Sequence, residues 1–270
     1  MEAAQTAQGR ILSGADGAPV EVLNADGDSC VVLACEHASN RVPGSLNGLG
    51  LDAAALRSHI AWDPGARSVA LGLSRSLDAP LVASRISRLV YDCNRPPDSP
   101  AAMPVRSERF DIPGNAGLSE GARAARVREI YRPFRARLGA MLDRRAAGRA
   151  PVCLVTIHSF TPVYFETRRE VELGILHDSD ARLADLMLAR ASEITGLRSG
   201  RNQPYGPEDG VTHTLREHAL PRGIPNVMIE IRNDLLEKPR ERDAITSALA
   251  RLIETATETL KRNPKRKETR

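Results

Sequence analysis

At 270 residues, with a net charge of +4 and only 3% aromatic residues, the chain can bury a substantial core, but that core must be Leu, Val, Ile and Ala packing rather than rings. Much of the positive excess lies in 261–270, a run that reads as a solvated basic tail; with no aromatic or glycine-rich interleaving it argues against a nucleic-acid role, whereas a small anionic substrate fits the mild basicity. The polar opening, Met1-Glu2-Ala3-Ala4-Gln5-Thr6, is no signal peptide, and no apolar stretch is long enough to span a bilayer, so a soluble cytoplasmic protein is expected.

Composition shows no break that would mark a linker, so 1–260 reads as a single domain ahead of the tail. Cys30, Cys35, Cys93 and Cys153 form no CxxC pair and lie in or beside apolar runs, which predicts buried reduced thiols.

In chain order, 17–25 holds a short edge strand and 29–36 the first core strand, whose apolar run Val31-Val32-Leu33-Ala34 ends in Cys35-Glu36-His37. A Pro/Gly loop follows to Gly50, and Asp52 caps a short helix from Ala53 to His59. Asp63-Pro64-Gly65 has the residues that open a helix, with Asp63 as the cap and Val69, Leu71, Leu73 and Leu77 as its apolar positions. Strands are expected over Pro80 to Ser84 and Leu89-Val90-Tyr91, then a long irregular loop over 96–117. A helix from Ser119 to Ala147 buries Ile130, Phe134, Leu138 and Leu142, with a kink expected at Pro133. Further strands end at His158 and Leu176, and a helix over 179–195 is closed by Gly196. A loop over 199–210 leads to 211–218, then come a strand carrying Glu230 and a last amphipathic helix from Pro239 to Lys261. Alternating strands and helices, with strands lacking a two-residue period, predict an α/β fold with a mostly parallel sheet covered on both faces.

Ionisable residues at the ends of buried strands sit where α/β proteins keep their ligands. Three apolar strands deliver His37, His158 and Glu230 there. Zinc in a hydrolytic site takes about three ligands from His, Asp and Glu with a position left open to water, and a strand-borne glutamate suits a general base; the competing reading of Glu230 is an ion pair with Arg232 or another sheet arginine. In the Asn94-Arg95 pair the arginine offers a planar fork for a substrate carboxylate or for a polarised carbonyl, the latter a catalytic role, the competing reading being a surface loop arginine. Arg88 is a further candidate for a carboxylate, and His213 and His218 are candidates for lining a pocket or simply for helix packing. His177 reads as structural.

Glu36-His37-Ala38-Ser39-Asn40-Arg41-Val42-Pro43, His59-Ile60-Ala61-Trp62-Asp63, Ser87 to Pro96 and Ile157-His158-Ser159 together resemble the N-formylglutamate amidohydrolase family, over about Val31 to Asp234. More distantly, Asp92-Cys93-Asn94-Arg95, Ile157-His158-Ser159-Phe160 and Ile229-Glu230-Ile231-Arg232 are similar to segments of the zinc carboxypeptidases. The resemblance implies a three-layer α/β/α sandwich around a mixed sheet. It also implies a zinc ion on His37 and His158, Glu230 as general base, and Asn94 and Arg95 on the substrate. The carboxypeptidase pattern departs at Asn40, where a ligand glutamate is expected. Asp63 is taken as the third ligand because relatives carry a histidine after the same tryptophan, with Glu36 and His59 in reserve; the alternative is that Asp63 only caps its helix. The implied activity is metal-assisted hydrolysis of an N-acyl amino acid such as N-formylglutamate. A metallo-exopeptidase and a non-catalytic binding relative are the alternatives.

Overall fold

The computed structural model describes residues 9–148 and 151–262, so most of the basic tail lies outside the described residues. The strands are β1 (Val20–Leu23), β2 (Val31–Cys35), β3 (Leu81–Ser84), β4 (Arg106–Ser107), β5 (Phe110–Asp111), β6 (Cys153–Phe160), β7 (Val163–Tyr164), β8 (Thr167–Arg168), β9 (Leu173–Leu176), β10 (Ser199–Arg201) and β11 (Asn226–Arg232). The helices are α1 (Ala53–Arg57), α2 (Ala66–Ser76), α3 (Glu120–Arg126), α4 (Arg132–Ala146), α5 (Arg182–Leu188), α6 (Ala191–Thr195) and α7 (Pro239–Arg262).

Seven strands form one mixed sheet in the order β1-β3-β2-β6-β11-β9-β10. Its centre, β3-β2-β6-β11, is parallel; β1 on β3 and β9 on β11 are antiparallel, and β10 runs parallel to β9. β2, β6 and β11 are buried along their whole length, because both faces of the sheet are covered. Val31, Leu33, Val155, Ile157, Val227 and Ile229 face one apolar cluster, to which α2, α5 and α7 contribute Leu73, Met187 and Leu252. Val32, Leu154 and Met228 face the other, where the predicted stripe Ile130, Phe134, Leu138 and Leu142 is buried. The result is a three-layer α/β/α sandwich, as expected.

Several elements differ from expectation. Leu89-Val90-Tyr91 is a buried turn and not a strand: the Val90 and Tyr91 N–H groups return to Ser87 O, and burial alone does not separate a packed turn from a strand. The Ser119 to Ala147 helix is interrupted by one π-helical turn, Val127–Tyr131, in which Arg132 N–H reaches back to Val127 O. That wider turn immediately precedes Pro133, whose ring and missing N–H would otherwise disrupt the α ladder. The 179–195 helix is split into α5 and α6, and Gly196 closes α6 in the left-handed conformation (φ 70°). Ser199–Arg201, read as loop, is edge strand β10, since its pairing with β9 is made by backbone and leaves no apolar signature. The irregular 96–117 stretch contains the small β4–β5 hairpin. All four cysteines are free, and Cys35, Cys93 and Cys153 are buried.

Candidate metal centre and active-site pocket

The three central strands end together, and their register sets the site. β2 runs at Cys35 into Glu36 and His37, while His158 of β6 pairs directly with Glu230 of β11. Period-two alternation puts His158 and Glu230 on the face of Leu154 and Met228, beyond the apolar cluster there. Asp63 comes from the loop before α2, with its N–H bonded to His37 O at 3.0 Å. Asp63 is not the helix cap: Gly65, at φ 84°, occupies the N-cap of α2.

His37 Nδ1, His158 Nδ1 and Asp63 Oδ2 converge. The two Nδ1 atoms are 3.2 Å apart, and Asp63 Oδ2 lies 3.2 Å from His37 Nδ1 and 2.9 Å from His158 Nδ1. Among the described residues these three form a buried group whose atoms are close enough to share a metal ion. Each imidazole turns its other nitrogen to a carboxylate: His37 Nε2 is 2.6 Å from Asp92 Oδ1, and His158 Nε2 is 3.2 Å from Glu36 Oε2. Carboxylates in those positions favour the proton on Nε2 and leave each Nδ1 lone pair aimed at the centre. Two imidazole nitrogens and a carboxylate oxygen meeting at one buried point need protons or a cation among them, and as a donor set they suit zinc. Glu36, the reserve ligand, therefore stands behind His158, and His59, the other reserve, pairs with Glu108 at 3.0 Å.

The surrounding charges are tightly matched. Arg88 donates to Asp63 Oδ1 at 3.3 Å and Asp92 Oδ2 at 2.8 Å, so its fork holds two carboxylates of the centre. Burial opposes the charged form of His158, yet Glu36 and Asp63 hold it well above the usual imidazole range. His37 is also raised: Asp92 and Asp63 outweigh burial and Arg88. Asp92 is held well below the carboxylate range, because His37 and Arg88 overcome its desolvation.

Glu230 has a different environment. It is buried, its Oε2 has no hydrogen-bond partner, and burial pushes its carboxyl up to about 7. The ion-pair alternative is not realised: Arg232 instead meets Asp234 at 2.9 Å and Glu172 at 3.5 Å.

These groups open onto a cavity of about 350 Å³, whose lining includes His37, Asp63, His158, Glu230, Arg88, Asn94 and Arg95. Both ends of the Asn94 amide bond backbone, donating to Val211 O at 2.5 Å and accepting from Thr214 N–H at 2.9 Å. Arg95 Nη1 donates to Asn94 O at 3.0 Å and Gly210 O at 2.8 Å. His213 lies outside the cavity wall, its Nε2 2.8 Å from the Tyr131 hydroxyl. His218 is buried in the π-helical turn Leu215–Ala219, and His177 is tied to Asp178 O and Arg201. Sequence reasoning gave Asp92 no role, although it follows a buried apolar triplet just as Glu36 follows β2. It also missed the aromatic wall of Phe160, Tyr164 and Tyr205, whose residues are scattered in sequence and carry no spacing signal.

No curated protein matches the chain in a sequence comparison. Among solved structures, the gene product Atu2144 of Agrobacterium tumefaciens is 54% identical with a TM-score of 0.91, the match covering 93% of this chain and 100% of that one. The N-formylglutamate amidohydrolase of Ralstonia eutropha JMP134 shares the fold at 19% identity and a TM-score of 0.67, over 91% of this chain and 99% of that one. The family model for N-formylglutamate amidohydrolase matches residues 29–237, a span that takes in every residue of the metal centre, Glu230 and the cavity wall. The chain belongs to the N-formylglutamate amidohydrolase family.

Proposed function

We propose that the protein is a metal-dependent amidohydrolase, most simply a zinc enzyme, that cleaves the amide of a small anionic N-acyl amino acid such as N-formylglutamate. The observation that carries this reading is the convergence of His37 Nδ1, His158 Nδ1 and Asp63 Oδ2 in one cavity with the buried Glu230, whose Oε2 has no hydrogen-bond partner. A divalent ion on the three ligands would supply the Lewis acidity that makes water nucleophilic near neutral pH. Glu230 takes a proton from the attacking water as the new C–O bond forms, and returns it to the departing amine as the C–N bond breaks. Water and amide thus become a carboxylic acid and an amine. Arg95, with guanidinium N–H groups to spare beyond its two carbonyl partners, holds the substrate carboxylate. Asn94 shapes the wall by fixing the 211–214 segment beside it. The family match and the likeness to the Ralstonia protein support the acyl-amino-acid substrate class.

Substituting Glu230→Gln tests the assignment, because the amide keeps the shape but cannot accept the proton. Metal content by elemental analysis should be unchanged, while turnover of N-formyl-L-glutamate drops by about 10²- to 10⁴-fold. A variant with near-normal turnover removes Glu230 as the base. Running the same assay on dipeptides separates this reading from a metallo-exopeptidase.

A further inference from the structure

Three separate segments of the cavity wall converge on one carboxylate. His59 from the turn after α1, Ser107 from β4 and Tyr164 from β7 all line the cavity. Glu108, next to Ser107 in the β4–β5 turn, reaches the other two segments. Its Oε2 lies 3.0 Å from His59 Nε2. Its Oε1 accepts, at 3.4 Å, the N–H of Phe165, which follows Tyr164 in the β7–β8 turn. Among the described residues this is the one hydrogen bond between the two hairpins.

The feet of both hairpins are fixed. Buried Ile112 donates its N–H to Val105 O at 2.9 Å below the first. Below the second, Arg169 N–H donates to Pro162 O at 2.8 Å, and its guanidinium lies over the rings of Tyr164 at 4.7 Å, Tyr205 at 4.8 Å and Phe160 at 5.6 Å from their centroids. Above those feet each strand has only two residues, and so short a two-stranded ladder is not stable by itself in water. Nor do the hairpins bury their own apolar side chains: among the described residues the large ones left exposed are Val105, Val163 and Phe165, all in these two segments. The Glu108 side chain, by contrast, is only 13% exposed, although a carboxylate gains from water unless partners hold it.

We propose that Glu108 is a positioning residue that straps the two hairpins to the His59 turn, closes that side of the cavity and so limits the size of the acyl amino acid admitted. It acts through His59, Ser107 and Tyr164 and touches no substrate itself. Releasing it lets the hairpin tips part about their fixed feet and widens the cavity, about 350 Å³ as it stands. His158 and Glu230, which stand on the central sheet, stay in place. This inference rests on the amidohydrolase reading above and names what sets its substrate size.

The test has two arms. In the first, amide hydrogen exchange is compared in wild-type and E108A proteins loaded with zinc. Protection over 105–112 and 163–168 should fall by about tenfold in the variant, with the central sheet unchanged. Equal exchange in the two proteins overturns the strap, as does a wild type whose hairpins exchange at the unprotected rate. In the second arm, kcat/KM is measured for N-formyl-L-glutamate, for N-hexanoyl-L-glutamate, longer on the acyl side, and for N-formyl-L-tryptophan, bulkier on the amine side. At least one of the larger compounds should gain about tenfold relative to N-formyl-L-glutamate in E108A, with a smaller gain in E108Q, which keeps an oxygen for the Phe165 N–H. A rise in neither ratio, including an equal loss on all three compounds, overturns the proposal. If wild-type protein hydrolyses none of the three, the amidohydrolase reading fails, and the exchange arm still decides whether Glu108 holds the hairpins. Matching melting temperatures exclude misfolding, and E108Q serves if E108A is unstable.

Discussion

Asp92 shows how much of the candidate metal centre lies behind the three groups that would hold an ion. Its Oδ1 is 2.6 Å from His37 Nε2 and 2.9 Å from Asn94 N–H, while Oδ2 takes the Arg88 bond. One buried carboxylate thus orients a ligand imidazole and the start of the Asn94-Arg95 segment. Asp92→Asn keeps the shape but removes the charge that favours the Nε2 tautomer, and should weaken zinc binding by about 10- to 100-fold, measured by competition with a chromophoric chelator. An unchanged affinity would mean that His37 needs no such partner. Glu230 gives a pH prediction with a definite sign. Burial pushes its carboxyl up to about 7, and a base works only when deprotonated; a cation at the neighbouring triad favours the carboxylate and draws that value down. The kcat/KM profile should therefore rise with pH along an acid limb and level off by about 7. A limb centred well above that would place the titration on another group.

The loop that carries Asp92, Asn94 and Arg95 has no sheet ladder; beside a few backbone bonds, such as Asp92 N–H to Ala102 O at 2.8 Å, side chains hold it. Arg126 of α3, wholly buried, donates to Val90 O, Gly114 O and Asn115 Oδ1, and Asn115 Nδ2 in turn donates to Leu89 O and Pro104 O. Burial lowers the Arg126 pKa to about 10, which still leaves it charged at neutral pH. Removing the guanidinium leaves buried carbonyls without partners. Arg126→Met should cost on the order of 3 kcal/mol in a urea titration and also raise KM, because the Arg95 segment loses its anchor. A loss below ~0.5 kcal/mol would show that the loop holds itself closed. The π-helical turn just after Arg126 sits shortly before Pro133, where only a kink is expected.

Across the molecule, the parallel centre of the sheet brings three distant chain segments to one edge, and the helical layers exclude water from the groups behind it. His218 reports on that packing. It is buried in the turn that covers β11, and its ring lies 3.8 Å from where a Cβ on Gly139 would stand, so burial pulls its pKa from 6.5 down to about 4. Between those two values the unfolded chain takes up a proton that the folded chain refuses, so stability falls as pH falls. The loss approaches about 3 kcal/mol at the lower value. Urea titrations at pH 7 and pH 4.5 should show a steeper decline for wild type than for His218→Gln. Parallel declines would mean that the imidazole accepts its proton in place.

Much of the architecture is legible in the sequence because burial leaves a local trace. Apolar runs mark β2, β6 and β11, four-residue spacing marks the buried stripe of α4, and a glycine marks the end of α6. Such patterns depend on each residue's own neighbours and survive without knowledge of the fold. They also expose His37, His158 and Glu230, since a charged or titratable group at the end of a buried strand breaks a local pattern. Tertiary structure alone decided that these three strands are adjacent and in a register that pairs His158 with Glu230. It likewise decided that Asp63 faces the imidazoles while Gly65 caps the helix, that Asp92 and Glu36 stand behind the ligands, and that Arg169 meets three rings. Those contacts join segments far apart along the chain, and long-range register leaves no periodicity in the sequence from which to read it.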